Sequence, residues 1–124
     1  MHTADFMARL VELSKDNIET VRTKNADYAS VDDPFQNFEL CEKIANIPAE
    51  VGIFVRLTDK IQRIGNLLGR DPSVTEETIY DALSDLANYA LILRVYLEQK
   101  RLVAAQPPID DIACLRRSSC TDKR

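Results

Sequence analysis

Apolar residues recur at helical spacing along most of the chain. Met7, Leu10, Val11, Ile18 and Val21 mark one side of a helix predicted over residues 4–22. Residues 23–34, TKNADYASVDDP, are polar, rich in Asn, Asp and Ser, and end in Pro, which predicts a loop. Phe35, Phe38, Cys41, Ile44 and Ala45 then trace a short helix that stops before Pro48. Pro48 suits the first turn of the next helix, because its missing N–H is unpaired there anyway. From 49 to 68, Val51, Phe54, Thr58, Ile61, Ile64, Gly65 and Leu68 lie within one wide arc, and Gly69 is placed to end that helix in a left-handed cap. After a tight link, RDPSV, Ser73 and Glu76 fit a capping box, and a helical pattern runs to about residue 103. Its apolar face is Ile79, Ala82, Leu83, Leu86, Ala90, Leu93 and Leu97. Roughly 30 residues make a rod of about 45 Å, longer than a small globule needs. Pro107 and Pro108 close it. No strand pattern or internal repeat occurs. The expected fold is all-α: a four-helix, bundle-like single domain over residues 1–105, with the last two long helices as an antiparallel hairpin and residues 106–124 as a flexible basic tail.

Composition then removes whole classes of chemistry. The 124 residues suffice for one core without disulfides or metal. Three glycines are too few and too scattered for a dinucleotide fingerprint or a P-loop. The one histidine, His2, stands at the terminus, so no Ser-His-Asp or Cys-His site can be built. Cys41, Cys114 and Cys120 cannot complete a four-ligand zinc site and form no close pair, which suits a reducing cytosol. No apolar window is long enough to span a bilayer and no signal-peptide pattern opens the chain, so a cytoplasmic protein is expected. The net charge of −4 is uneven: residues 1–99 carry 10 basic against 17 acidic side chains, and residues 100–124 carry 6 against 3. A body this acidic should repel nucleic acid, and direct nucleic-acid binding is not expected.

The charges of the two long helices are segregated. Between Arg70 and Arg94 no basic residue occurs, while Asp71, Glu76, Glu77, Asp81 and Asp85 all fall there. Glu77, Asp81 and Asp85 stack at i, i+4, i+8, with Asn88 continuing the row, about 140° from the apolar face at 100° per residue. Like charges at this spacing destabilise a helix by roughly 0.2–0.5 kcal/mol each, so something positive should face them. The preceding helix offers Arg56, Lys60, Arg63 and Arg70 against Asp59, with Arg56, Asp59, Lys60, Arg63 and Asn66 on one stripe. Either the two rows form inter-helix salt bridges, or the carboxylates hold a hard divalent cation while the basic groups hold phosphate oxygens.

Four blocks in order carry a resemblance: Lys24-Asn25-Ala26-Asp27-Tyr28; Asp33-Pro34-Phe35-Gln36-Asn37-Phe38; Arg56 through Leu67, RLTDKIQRIGNL; and Asp81 through Ala90, DALSDLANYA. Together they resemble the phage-encoded family called nucleotide modification associated domain, itself similar to the all-α nucleoside-triphosphate pyrophosphatases of MazG and dUTPase type. The resemblance covers about residues 20–96 and implies nucleotide metabolism. The wider superfamily coordinates magnesium with two helical pairs, E-x-x-E and E-x-x-D. Asp85 falls where the last acidic residue of the second pair belongs; Ala82 stands where its Glu would be, and Asp81 can substitute. In place of the first pair stands Arg56-x-x-Asp59, which moves ligands to Glu39, Glu42 or Glu50 or leaves the chain inactive.

Two functions follow from that resemblance. In the first, the chain is a Mg²⁺-dependent (or Mn²⁺-dependent) pyrophosphohydrolase converting a nucleoside or deoxynucleoside triphosphate to monophosphate and pyrophosphate. Asp81, Asp85 and Glu77 would bind metal, with Asp59 assisting catalysis; Lys24, Arg56, Lys60 and Arg63 would hold phosphates; Asp27 and Tyr28 would form a lid; and Asn37, Asn66 and Asn88 would contact base or sugar. In the second, it is a non-catalytic phage accessory protein that binds a nucleotide or a host protein, such as an inhibitor of a host defence system. Gly65, mid-helix, indicates close packing against another helix. Apolar arcs wider than a two-helix seam predict a homodimer or homotetramer with the site near the subunit boundary.

Overall fold

The computed structural model describes residues 1–28 and 32–105, apart from the side chains of residues 26–28, 72, 74 and 75. Four helices follow in order: α1 (Thr3–Tyr28), α2 (Gln36–Ala45), α3 (Ala49–Leu67) and α4 (Pro72–Ala105). Among the described residues there is no strand, so the fold is all-α and bundle-like, with a long C-terminal helix. The basic tail and two of the three cysteines, Cys114 and Cys120, lie outside the described residues.

Local chemistry sets each boundary. The side chain of Asp33 accepts from the Phe35 N–H at 3.0 Å and starts α2. Asn46 ends it in the left-handed region (φ 55°), its N–H bonding the Glu42 carbonyl while the Ile47 N–H reaches back to Cys41. A short amide side chain tolerates that conformation better than a β-branched one. Glu42 then turns to the next helix: its Oε1 accepts from the Ala49 N–H at 2.8 Å and satisfies a free donor of α3.

Three boundary expectations are corrected. Residues 23–28 are helical, because α1 continues through Tyr28; no Gly or Pro interrupts the stretch, and Thr20 and Thr23 return their hydroxyls to the carbonyls of Asp16 and Glu19. Gly69 is not a left-handed cap. No described glycine has positive φ, and α3 ends on Leu68 in helical conformation. Asp71, and not Ser73, caps α4: its Oδ1 accepts from the Ser73 N–H at 3.0 Å and hydroxyl at 2.9 Å. Pro72 takes the first helical position, where its lack of an N–H is harmless.

Helices α3 and α4 form the antiparallel hairpin. Lys60 pairs with Asp85 near the turn, and Glu50 with Lys100 at the far end. The core is small. Phe35, Phe38, Ala49 and Ile53 are buried, with Tyr89, Ile92, Leu93 and Tyr96 packed against them. Phe35 meets the Tyr96 ring edge-on, centroids 5.1 Å apart. Helix α2 approaches α3 at Gly52, where a Cβ would stand 3.4 Å from the Sγ of half-buried Cys41, at the near edge of ordinary contact. Ile64 and Ala82 extend the seam toward the turn.

The faces that pack overlap the expected ones only in part: Ile64 of α3 and Ala82 of α4 are buried, and Ile79, Leu86 and Leu93 are half-buried. On α3 the inward residues are Ala49, Ile53, Leu57, Lys60, Ile64 and Leu67, while Val51, Phe54, Ile61 and Leu68 of the expected arc are exposed. On α4 the inward row is Thr78, Ala82, Asp85, Tyr89, Ile92 and Tyr96, while Leu83 and Leu97 are exposed. Both helices are thus rotated toward their charged sides. The apolar side of α1 is likewise uncovered: residues 1–16 are exposed, and only Asn17, Val21 and Asn25 become half-buried.

Candidate functional site

The rotation of α4 brings Asp85 into the seam, with its side chain only 23% exposed. The acidic row therefore adjoins the packed face instead of lying remote from it. Lys60 comes across from α3, equally sheltered, and places its Nζ 3.0 Å from Oδ2 of Asp85. Lys24, on the last turns of α1, places its Nζ 3.5 Å from Oδ1. Three helices converge on one carboxylate, and each of its oxygens faces an ammonium group. The counter-charge expected for this row arrives from other helices, and it reaches Asp85 alone. Asp81 and Glu77, one and two turns earlier, are exposed and make no ion pair among the described residues.

Beside this junction the outer side of α3 carries an open groove of about 400 Å³ lined by Asp59, Gln62, Arg63, Asn66, Leu67 and Arg70. Their spacing of three, one, three, one and three residues keeps them on one side of the helix. Arg56 continues the stripe one turn before Lys60. Among the described residues no ion pair engages Arg56, Arg63 or Arg70. Gln62 was not singled out in the sequence, and Arg70 was named only in the basic balance of the helix; the same i, i+3, i+4 spacing would have placed both in the stripe.

The other expected site residues are placed differently. Asn88 is buried, 6% exposed, on the α4 side of the same junction. Asp27 and Tyr28 belong to the last turn of α1 and not to a loop, and their side chains lie outside the described residues. A lid built on a loop at 24–28 is therefore withdrawn. Asn37 is exposed at the start of α2, and no described contact joins it to the Asp85 group. The flanking rings of Phe35 and Phe38 are 6% and 8% exposed and fill the core, so they offer no face to a base.

The alternative acidic residues are occupied as well. Glu42 caps α3, and Glu50 is paired with Lys100 at 2.5 Å, which holds its carboxyl below the ordinary value while burial opposes. A hydrogen bond with Asp33 pushes the Glu39 carboxyl up. Among the described residues no group of three or more metal-ligating side chains gathers. The carboxylate at the centre of the site, Asp85, is held between Lys60 and Lys24, and its row continues in the exposed Asp81 and Glu77.

No helix is long and apolar enough to cross a membrane among the described residues. Comparison of the chain with protein-family models, curated proteins and solved structures finds no match.

Proposed function

We propose that the chain binds the phosphate groups of a nucleoside or deoxynucleoside triphosphate along the charged side of the α3–α4 hairpin. The observation that carries this is the junction itself: Lys60 and Lys24 are steered toward one spot by Asp85, with Arg56, Arg63 and Arg70 on adjoining turns and no described carboxylate partner for any of the three. Each ammonium has three donors and spends one on Asp85, leaving protons for phosphate oxygens. Fixing the lysines beforehand reduces the side-chain entropy lost on binding. The arginines supply planar two-point donors, which suit phosphate better than a point charge does. The sequence blocks that resemble the nucleotide modification associated domain include Lys24, Arg56, Lys60, Arg63 and Asp85. A nucleotide ligand and the free Cys41 both suit a cytoplasmic protein.

Calorimetry with pyrophosphate and a panel of dNTPs tests this. Binding that weakens about tenfold, or 1.4 kcal/mol, on Lys60→Met, and is unchanged by Lys43→Met on α2, supports it. Absence of binding by the wild-type chain at millimolar ligand refutes it. Hydrolysis to monophosphate and pyrophosphate is a second reading, favoured by the exposed Asp81 and Glu77 beside Asp85. It requires Mg²⁺ or Mn²⁺ held by a wider ligand set than the described residues of one chain bring together. Pyrophosphate release that depends on the metal and is lost in Asp85→Asn would establish it. Stabilisation by dNTPs without product would leave a binding protein; neither effect would leave a role in contacting another protein.

A further inference from the structure

We infer that the apolar side of the α3–α4 hairpin is an interface with a second copy of this chain, the two hairpins forming a four-helix bundle. At 100° per residue, Phe54, Ile61 and Leu68 of α3 and Leu83 and Leu97 of α4 all fall on the side of the seam away from Asp85. They are between 44% and 68% exposed. Helices α1 and α2 both approach from the charged side, through Lys24 at Asp85 and Cys41 at Gly52, so nothing described in the chain covers this one.

Gly65 is independent support. It stands in the last turn of α3 on this same side, and a Cβ there would meet nothing within 4 Å. A glycine that no described part of its own chain requires fits the close approach of a helix from outside. A groove of about 410 Å³ runs along α4 on this side, lined by Ala90, Leu93, Arg94, Leu97, Glu98 and Arg101. Its rim carries both signs of charge, Arg94 already bonding Glu98 at 2.9 Å, which matches a like surface and not a strongly charged partner.

The area suffices for a small interface. With about 200 Å² for a fully exposed large apolar residue, the five half-exposed side chains offer roughly 540 Å² per copy, so two copies bury about 1,100 Å², just above the ~1,000 Å² total that a specific interface needs. Two antiparallel hairpins related by a two-fold axis give the four-helix packing with short-loop topology seen in small bundles. The charged junctions then lie on the two outer sides of the dimer.

Light scattering of the full chain at micromolar concentration is the test, with a mass of twice 14.0 kDa expected. Ile61→Glu and Leu83→Glu should each give monomers, and Ile44→Glu, at an 82% exposed position on α2, should leave the dimer intact. Should the glutamate variants lose helical circular dichroism, Gly65→Leu decides. The added side chain has free space in its own chain, so a folded protein with at least tenfold weaker association supports the interface. A monomeric wild-type chain, charge variants that stay dimeric, or equal loss with Ile44→Glu overturns it.

Discussion

The pair at the centre of the junction can be weighed by a double-mutant cycle. Lys60 and Asp85 are 3.0 Å apart and each only 23% exposed, so the pair lies between two regimes. Exposed pairs contribute below about 1 kcal/mol, and breaking a fully buried pair costs about 3–5 kcal/mol because the survivor is left uncompensated. Asp85→Asn should therefore destabilise the chain by about 2 kcal/mol, since the Lys60 ammonium stays in its sheltered position without a counter-charge. Lys60→Met should cost less, because the methylene stem still packs and Asp85 retains Lys24. The double variant should recover part of the loss, giving a coupling of about 1–2 kcal/mol. Lys24, 60% exposed and 3.5 Å away, should couple to Asp85 by less than about 0.5 kcal/mol.

Urea denaturation followed by circular dichroism at 222 nm, at one fixed protein concentration, measures all of these. Raising NaCl to 1 M should shrink the Lys24 coupling more than the Lys60 coupling, because screening acts on the more exposed pair. Additive single variants, or a larger coupling for Lys24 than for Lys60, would refute the geometry from which the magnitudes were worked.

Other perturbations probe the hairpin's ends. Glu42→Ala removes the acceptor for the Ala49 N–H and should cost about 1 kcal/mol in the same melts, as lost helix caps do. Asn46→Ala should cost about 1 kcal/mol at its positive φ while Asn46→Gly costs nothing, the left-handed region penalising a Cβ that lacks a local hydrogen bond. Because Lys100 holds the Glu50 carboxyl below its ordinary value, the pair's stability is fully present above about pH 4.3 and is lost as pH falls through the depressed folded value. The gap in Tm between wild type and Glu50→Gln should be constant from pH 5 to 7 and close below about pH 4.

The all-α fold and the hairpin were legible because periodicity survives any choice of inward face. The faces themselves were not. In α3, the arc through Phe54, Ile61 and Leu68 is as apolar as the row that packs, and period alone does not rank two apolar rows on one helix. What decides is the partner: Phe35 and Phe38 of α2 need Ala49 and Ile53, and seating them there turns Lys60 inward and Phe54 outward. Opposite charge on the two helices raised inter-helix salt bridges as one reading, but not which residues pair, because the sequence does not set the register of α3 against α4. The part of Lys24 could not be read from loop-like composition, since Asn and Asp suit a helix end as readily as a loop, and the tertiary contact at Asp85 arbitrates.

Charge and apolar surplus are therefore two consequences of one rotation. Turning α3 and α4 toward their charged rows shelters Lys60 and Asp85 enough for their attraction to matter, and the same turn carries Ile61, Gly65 and Leu83 to the opposite side. A core of Phe35, Phe38, Ala49 and Ile53 is small for a chain that is 45% hydrophobic, and marginal stability leaves little room to expose the rest. Covering the far side with another hairpin would bury the surplus without touching the junction. Substitutions on one side should therefore leave the chemistry of the other unchanged, since residues on opposite sides of a seam share no partner.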